Sequence, residues 1–178
     1  MRHASSPPIY LYIPMKNRKP TRLKEYDYSN GGWYFETICT YKKINYFGRI
    51  KNGKKSLNNF AKFAENIWKQ IPIHYPEAEL DYFQIMPNHI HGIIIINNVG
   101  KGHAHSLHRR HTLSNIIGSF KSAVTKSINE NNYKNFKWQS SFYDRIIRND
   151  YELYNIRKYI EQNPLKWDLE KEIENLDI

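Results

Sequence analysis

His89 and His91 sit one residue apart in MPNHIHGIIII, Met86 to Ile96. On a β-strand, residues i and i+2 point to the same face. The two imidazoles would project together, with Ile90 turned the other way. Such a pair either holds one divalent metal ion or forms the polar end of a solvated strand. Further along, Tyr159 and Asn163 are four apart in YELYNIRKYIEQN. On a helix they share a face. A helix face offering a phenol and an amide can meet a strand offering two imidazoles, which makes a metal site with a nucleophile beside it. Mg²⁺ or Mn²⁺ there would polarise and orient a phosphodiester. A tyrosine hydroxyl, with a pKa of about 10, is a weak nucleophile near neutral pH. It needs a metal-activated phosphate, in-line positioning or a base. Its attack would keep the bond energy in a phosphotyrosine, so strands are cut and rejoined without ATP. The chain has 14 tyrosines, and the same spacing arises wherever helical tyrosines merely pack.

Positioning these groups requires a strand and a helix, and the sequence offers both. His89 to Ile96 reads as a strand whose four successive isoleucines imply burial on both faces. Leu80 to Met86 reads as a strand before it, joined at Pro87-Asn88. WYFETICTYK, Trp33 to Lys42, is rich in β-formers and gives the first strand. A short strand or turn follows at Tyr46 to Ile50, and KNGKK reads as a turn. SLNNFAKFAENIWKQI carries the i, i+3, i+4, i+7 pattern of an amphipathic helix, with Ser56 as N-cap and Pro72 ending it. LSNIIGSFKSAVTKSI is a second such helix. Phe142 to Ile147 is a short strand, and Asp150 caps a third helix that ends before Pro164. Hairpins alternating with helices predict an α+β layer fold with a mostly antiparallel sheet.

A chain of 178 residues, 40% apolar, suits one domain with a real core. Its 27 Lys and Arg against 17 Asp and Glu give +10, and aromatics make up 15%. Basic side chains interleaved with aromatics suit nucleic acid and unpaired bases. A basic surface kept for solubility is the plainer reading. The single Cys39 excludes an internal disulfide and a cysteine-based zinc cluster. No apolar run approaches the ~20 residues of a membrane span, and the N-terminus lacks the apolar core of a signal peptide. The expectation is a soluble, cytoplasmic protein. Residues 1–30 read as a basic arm, in which KNRKPTRLK carries five positive charges in nine residues, Arg22 and Lys24 among them. Residues 31–167 read as one catalytic domain and 168–178 as an acidic C-terminal helix or tail. Residues 97–111, NNVGKGHAHSLHRRH, read as a mobile loop. Its His103 and His105 repeat the His-x-His spacing without a strand or helix to hold them.

The string MPNHIHGIIII resembles the His-hydrophobe-His (HUH) motif of the IS200/IS605-type single-tyrosine transposases, and most closely their REP-associated relatives. RLKEYDYSNGGWYFETICT, SNIIGSFKSAVTKSIN and WQSSFYDRIIRNDYELYNIRKYIEQNPLKW agree with that family in order and spacing. The last of these carries its Tyr-Ile-x-x-Asn-Pro pattern. The resemblance covers roughly residues 20 to 168. It implies a ferredoxin-like sheet flanked by helices, Mg²⁺ or Mn²⁺, and single-stranded DNA that often bears hairpins. Carried over by position, the resemblance implies that His89 and His91 would be metal ligands and that Tyr159 would be the nucleophile, giving a 5′-phosphotyrosine and a free 3′-OH. Asn163 stands where the transposases proper commonly have Gln as a third ligand. The Asn-Pro form is that of the REP-associated branch. Classical members are dimers that complete each site with the partner's tyrosine helix, whereas the REP-associated branch includes monomers.

Other residues suit a DNA path: Lys121 on the second helix, Trp138 and Tyr143 as stacking platforms, and Arg145 and Arg148 for phosphate. Asn88 would orient a ligand or cap its turn, and Asp81 would serve as a supporting carboxylate. Two further readings stay open. One is a DNA-binding protein without cleavage. The other is a metal-dependent phosphodiesterase using water, with Tyr159 merely structural.

Overall fold

A computed structural model of the chain describes residues 31–97 and 111–176. The basic arm, with Arg22 and Lys24, and most of the predicted loop, with His103 and His105, lie outside the described residues. Six strands and four α-helices follow one another among the described residues: β1 (Gly32–Cys39), β2 (Gly48–Lys51), β3 (Lys54–Leu57), α1 (Asn59–Lys69), α2 (Ile71–His74), β4 (Ala78–Ile85), β5 (His89–Ile96), α3 (Leu113–Glu130), β6 (Tyr143–Ile147) and α4 (Asp150–Leu176). The main sheet has the order β4-β5-β1-β6, and every neighbouring pair in it is antiparallel. With the β2–β3 hairpin set aside, this is a ferredoxin-like α+β fold, as the sequence predicts. Among the described residues no helix is long and apolar enough to cross a membrane.

Strand alternation splits the apolar residues between two cores. One face of the sheet sends Tyr34, Ile38, Ile90 and Ile94 toward Trp68 of α1 and Ile116, Phe120 and Val124 of α3. The other sends Phe35, Ile93 and Ile147 toward Leu153, Ile156 and Ile160 of α4. The isoleucine run of β5 therefore feeds both cores, with Ile93 on one side and Ile94 on the other. Thr112 caps α3 in a reciprocal box with Asn115, which satisfies donors at the helix start.

Several boundaries differ from expectation, each for a local reason. The KNGKK segment is the turn of a β2–β3 hairpin whose Lys54 and Lys55 already pair with β2. Asn52 and Gly53 take positive φ of 53° and 65°, the backbone a two-residue hairpin turn needs. Ser56 is consequently in β3, and α1 is capped by Asn58, which accepts the Ala61 N–H at 3.2 Å. Pro72 does not end α1. It opens the short α2, where a missing N–H has no consequence. At α4 the capping bond comes from Asn149, whose Oδ1 accepts the Glu152 N–H at 2.8 Å, and Asp150 is already helical.

The largest departure is at Pro164, which lies inside α4 rather than after it. Proline removes one backbone bond and crowds the preceding turn, yet the helix continues. Tertiary contacts hold the far segment: Leu165 reaches the hairpin turn at Gly53, and the Trp167 ring lies 5.6 Å from that of His89.

Gly92 directly follows His91, and a Cβ there would collide with the Trp68 ring, which is fully buried in the core behind the sheet. Gly92→Ala should destabilise the fold by about 1–3 kcal/mol, the usual cost of overpacking. Urea unfolding checks this, and an unchanged midpoint would mean that Trp68 gives way freely.

Candidate active site

The β1–β5 register sets the site. Thr37 stands opposite His91, and Cys39 opposite His89. Gln84 of β4 and Tyr143 of β6 continue the His91–Thr37 row across the sheet. Antiparallel partners share a face, so this row looks toward α4. From that helix Tyr159 and Asn163 come down onto the histidines. The His89 and His91 Nε2 atoms are 3.1 Å apart, and the Tyr159 hydroxyl is 3.5 Å from His91 Nε2. The Asn163 side chain, 7% exposed, lies close enough to His89 to affect its protonation. The four residues singled out in the sequence are thus brought together within one chain.

Hydrogen bonding fixes one tautomer. Asn88 Nδ2 donates to the Lys43 carbonyl at 2.9 Å, which leaves Asn88 Oδ1 facing His89 Nδ1 at 2.7 Å. An amide oxygen only accepts, so His89 Nδ1 carries the proton and Nε2 presents its lone pair to the site. His91 Nδ1 lies 3.0 Å from the Thr37 hydroxyl, which can donate or accept. His91 can therefore give its Nε2 proton to His89 or, with Nδ1 protonated, turn a second lone pair inward. That choice suits a cation held between the two rings. Asn88 thus links the His89 ring to the Lys43 carbonyl.

Burial pushes His89 down to about 3, aided by neighbouring His91 and Lys43, while the Asn163 side chain opposes the shift. Burial likewise pushes His91 down to about 4, against a hydrogen bond with the Glu36 backbone. Both imidazoles are neutral at pH 7, the form that binds metal. Among the described residues no group of three or more His, Cys, Asp or Glu is gathered. The donor set is two imidazoles and an amide. These neutral donors fit a divalent cation that keeps its charge for an anionic ligand.

Aromatic rings wall the site. Phe35 stacks on His91 with centroids 5.3 Å apart and meets Tyr159 edge-on at 6.0 Å. Lys166 Nζ lies 5.2 Å from the centre of the Tyr159 ring. Trp167 covers His89. Sequence reading missed Thr37, Phe35 and Trp167. For Trp167 a signal existed, since it follows Tyr159 and Asn163 at the same four-residue interval.

The other predicted residues stand apart from the histidines. The Lys121 ammonium donates to the carbonyls of Gln139 at 2.6 Å and Ser140 at 3.2 Å. Trp138 packs among Phe47, Phe120 and Phe136, with its indole N–H on the Lys121 carbonyl. Arg145 is exposed and pairs with Glu152 at 3.3 Å, while the Arg148 backbone N–H donates to the same carboxylate. Asp81 binds Arg157 of α4 and not a histidine.

No family model matches the chain. It is 36% identical over 163 residues to an uncharacterized protein of Haemophilus influenzae, a match covering 85% of this chain and 91% of that one. It is 27% identical over 150 residues to a protein of the same organism named a putative REP-associated tyrosine transposase, covering 79% and 74%. A solved REP-associated tyrosine transposase bound to a REP hairpin superposes with a TM-score of 0.58 at 20% identity, over 81% of this chain and 74% of that one. The architecture is the HUH transposase fold. The chain belongs to one family with the uncharacterized Haemophilus protein and is similar to proteins named REP-associated tyrosine transposases.

The depressed histidines have a consequence for stability. Between about pH 6.5 and pH 4 the unfolded chain protonates both imidazoles while the folded chain keeps them neutral. Their contribution is whole above about pH 6.5 and is lost as pH falls toward 4, by up to ~1.4 kcal/mol per unit for each. Unfolding in chelator at about pH 7.5 and pH 5 should show a larger acid loss than in a His89→Gln/His91→Gln variant. Equal losses would contradict the burial argument.

Proposed function

We propose that the protein is a metal-dependent endonuclease and strand transferase acting on single-stranded DNA through a 5′-phosphotyrosine at Tyr159. The observation that carries this reading is the convergence of the Tyr159 hydroxyl on the facing His89 and His91 nitrogens. His89, His91 and the Asn163 amide would hold Mg²⁺ or Mn²⁺. That ion supplies a Lewis acid that polarises and orients the scissile phosphodiester. The Tyr159 oxygen then attacks phosphorus, the bond to the 3′-oxygen breaks, and a free 3′-OH leaves. Tyr159 is 39% exposed, which gives a strand access to it and its proton a path to water. Phe35 and His91 confine the ring so that the hydroxyl is presented rather than free to swing.

Two features support the substrate class. The net charge of +10 suits a polyanion. The solved relative is bound to a REP hairpin, so a hairpin-bearing single strand is the ligand to try first.

The test is a covalent-adduct assay with Mn²⁺ and hairpin-bearing single-stranded oligonucleotides on a denaturing gel. A shifted band is expected, absent in Tyr159→Phe, in His91→Ala and with EDTA. Cleavage retained by Tyr159→Phe would favour water as the nucleophile. Binding with neither cleavage nor adduct would favour a DNA-binding protein without chemistry. Affinity should also fall steeply with salt, as counterion release requires, and a flat dependence would argue against contacts along the phosphates.

A further inference from the structure

The seam beneath α4 leaves a mechanical question open. Leu153, Ile156, Ile160 and Asn163 bury one stripe of the helix. Apart from Asn163, that stripe is apolar, and apolar packing is not directional. Alone it leaves the helix free to roll. A helix side-chain envelope has a radius of about 5–6 Å, so a roll of about 20° carries a hydroxyl at that radius by about 2 Å. Such a displacement would take Tyr159 out of register with the histidines.

Glu152 ties the start of α4 to Arg145 and the Arg148 N–H, and a second polar contact opposes the roll from the β4 side. Arg157 Nε lies 3.2 and 3.1 Å from the two Asp81 carboxylate oxygens, and its Nη2 binds one of them as well. The Asp81 side chain is only 10% exposed in this pair. The Arg157 guanidinium also lies 5.5 Å from the centre of the Tyr82 ring. A β-bulge makes both partners available. Leu80 pairs with Ile94 and Phe83 with Gly92, so Asp81 and Tyr82 together oppose Ile93. Without the bulge only one of them could face α4. On the helix, Arg157 and Tyr159 are two residues apart, about 160° around the axis. They lie on opposite flanks of the buried seam, where fixing one flank fixes the height of the other.

We propose that Asp81 and Arg157 are positioning residues, a two-pronged clamp that sets the roll of α4 and so holds Tyr159 over His89 and His91. This rests on the proposed function for its effect on rate, though not for its geometry. The role assigned to Asp81 differs from that of a carboxylate supporting a metal ligand.

The test measures single-turnover adduct formation and oligonucleotide affinity for D81A, R157A, the double variant and R157K. Each single change should slow the adduct step by about 10–100-fold, the effect of a misplacement near 1 Å, with affinity unchanged. The double variant should be no slower than either single one, because one interaction is lost only once. R157K keeps the charge and lacks the fork, so it should be slow while folding normally. 3-Fluorotyrosine at position 159 gives a readout that needs no activity. Its resonance should move toward that of a free tyrosine in D81A, R157A and R157K. Slowing by R157A but not by D81A would overturn the clamp and assign Arg157 to the DNA. Unchanged rates or an unmoved resonance would overturn it too. If the unaltered protein forms no adduct, the proposed function fails, and the fluorine signal alone decides the clamp.

Discussion

The register between β1 and β5 is the constraint on which the site depends. Strand side chains alternate with a period of two, so a slip of one residue turns every side chain to the other face. In the observed pairing Thr37 meets His91 and Phe35 meets Ile93, all facing α4. A slip would send both imidazoles into the larger core beside Trp68. The isoleucines do not prevent this by themselves, since Ile93 and Ile94 are buried on opposite faces and would exchange places with little apolar loss. Gly92 does. It lies where the Trp68 ring presses on the sheet, and no other residue of β5 leaves that space. A core residue on one side thus fixes which face the histidines take on the other.

The tight β4–β5 connection then orders the end of the sheet. Met86 N donates to the His89 carbonyl, and the Asn88 carbonyl accepts from both the Thr40 N–H and its hydroxyl. The Asn88 side chain divides its amide between Lys43 and His89. One residue therefore joins the turn, the segment after β1 and the first imidazole, and it does so with neutral groups. Burying neutral imidazoles costs far less than burying charged ones. The same burial depresses their basicity and keeps their lone pairs available. On the proposed reading a donor set without carboxylate leaves the charge of a cation to be balanced by the substrate phosphate.

Much of this was legible from residue order. Alternation placed His89 and His91 on one face, and helical spacing placed Tyr159 and Asn163 on one side of α4. The strand His89–Ile96 matches its expected limits. What spacing could not supply was anything that depends on pairing between distant segments. Thr37 becomes the partner of His91 only through register. Asp81 and Tyr82 face Arg157 together only because a bulge adds a residue to β4. Ser56 was a sound cap by type, yet the hairpin claims it for β3 and leaves the task to Asn58. Local propensity yields in each case to pairing that sequence distance hides.

Pro164 makes the same point from the other direction. Read locally, it ends the helix, since the ring removes a donor and clashes one turn back. The chain continues because the residues on either side of it serve the same end of the sheet. Before the proline, Tyr159 and Asn163 reach the histidines from α4. After it, Trp167 lies on His89 and Leu165 meets the hairpin turn. A helix that stopped at Asn163 would leave the outer face of His89 in water, and its proton affinity would rise toward that of a free imidazole. The proline's local cost is therefore offset by the contacts that Leu165 and Trp167 make beyond it, and the same contacts keep the imidazole buried.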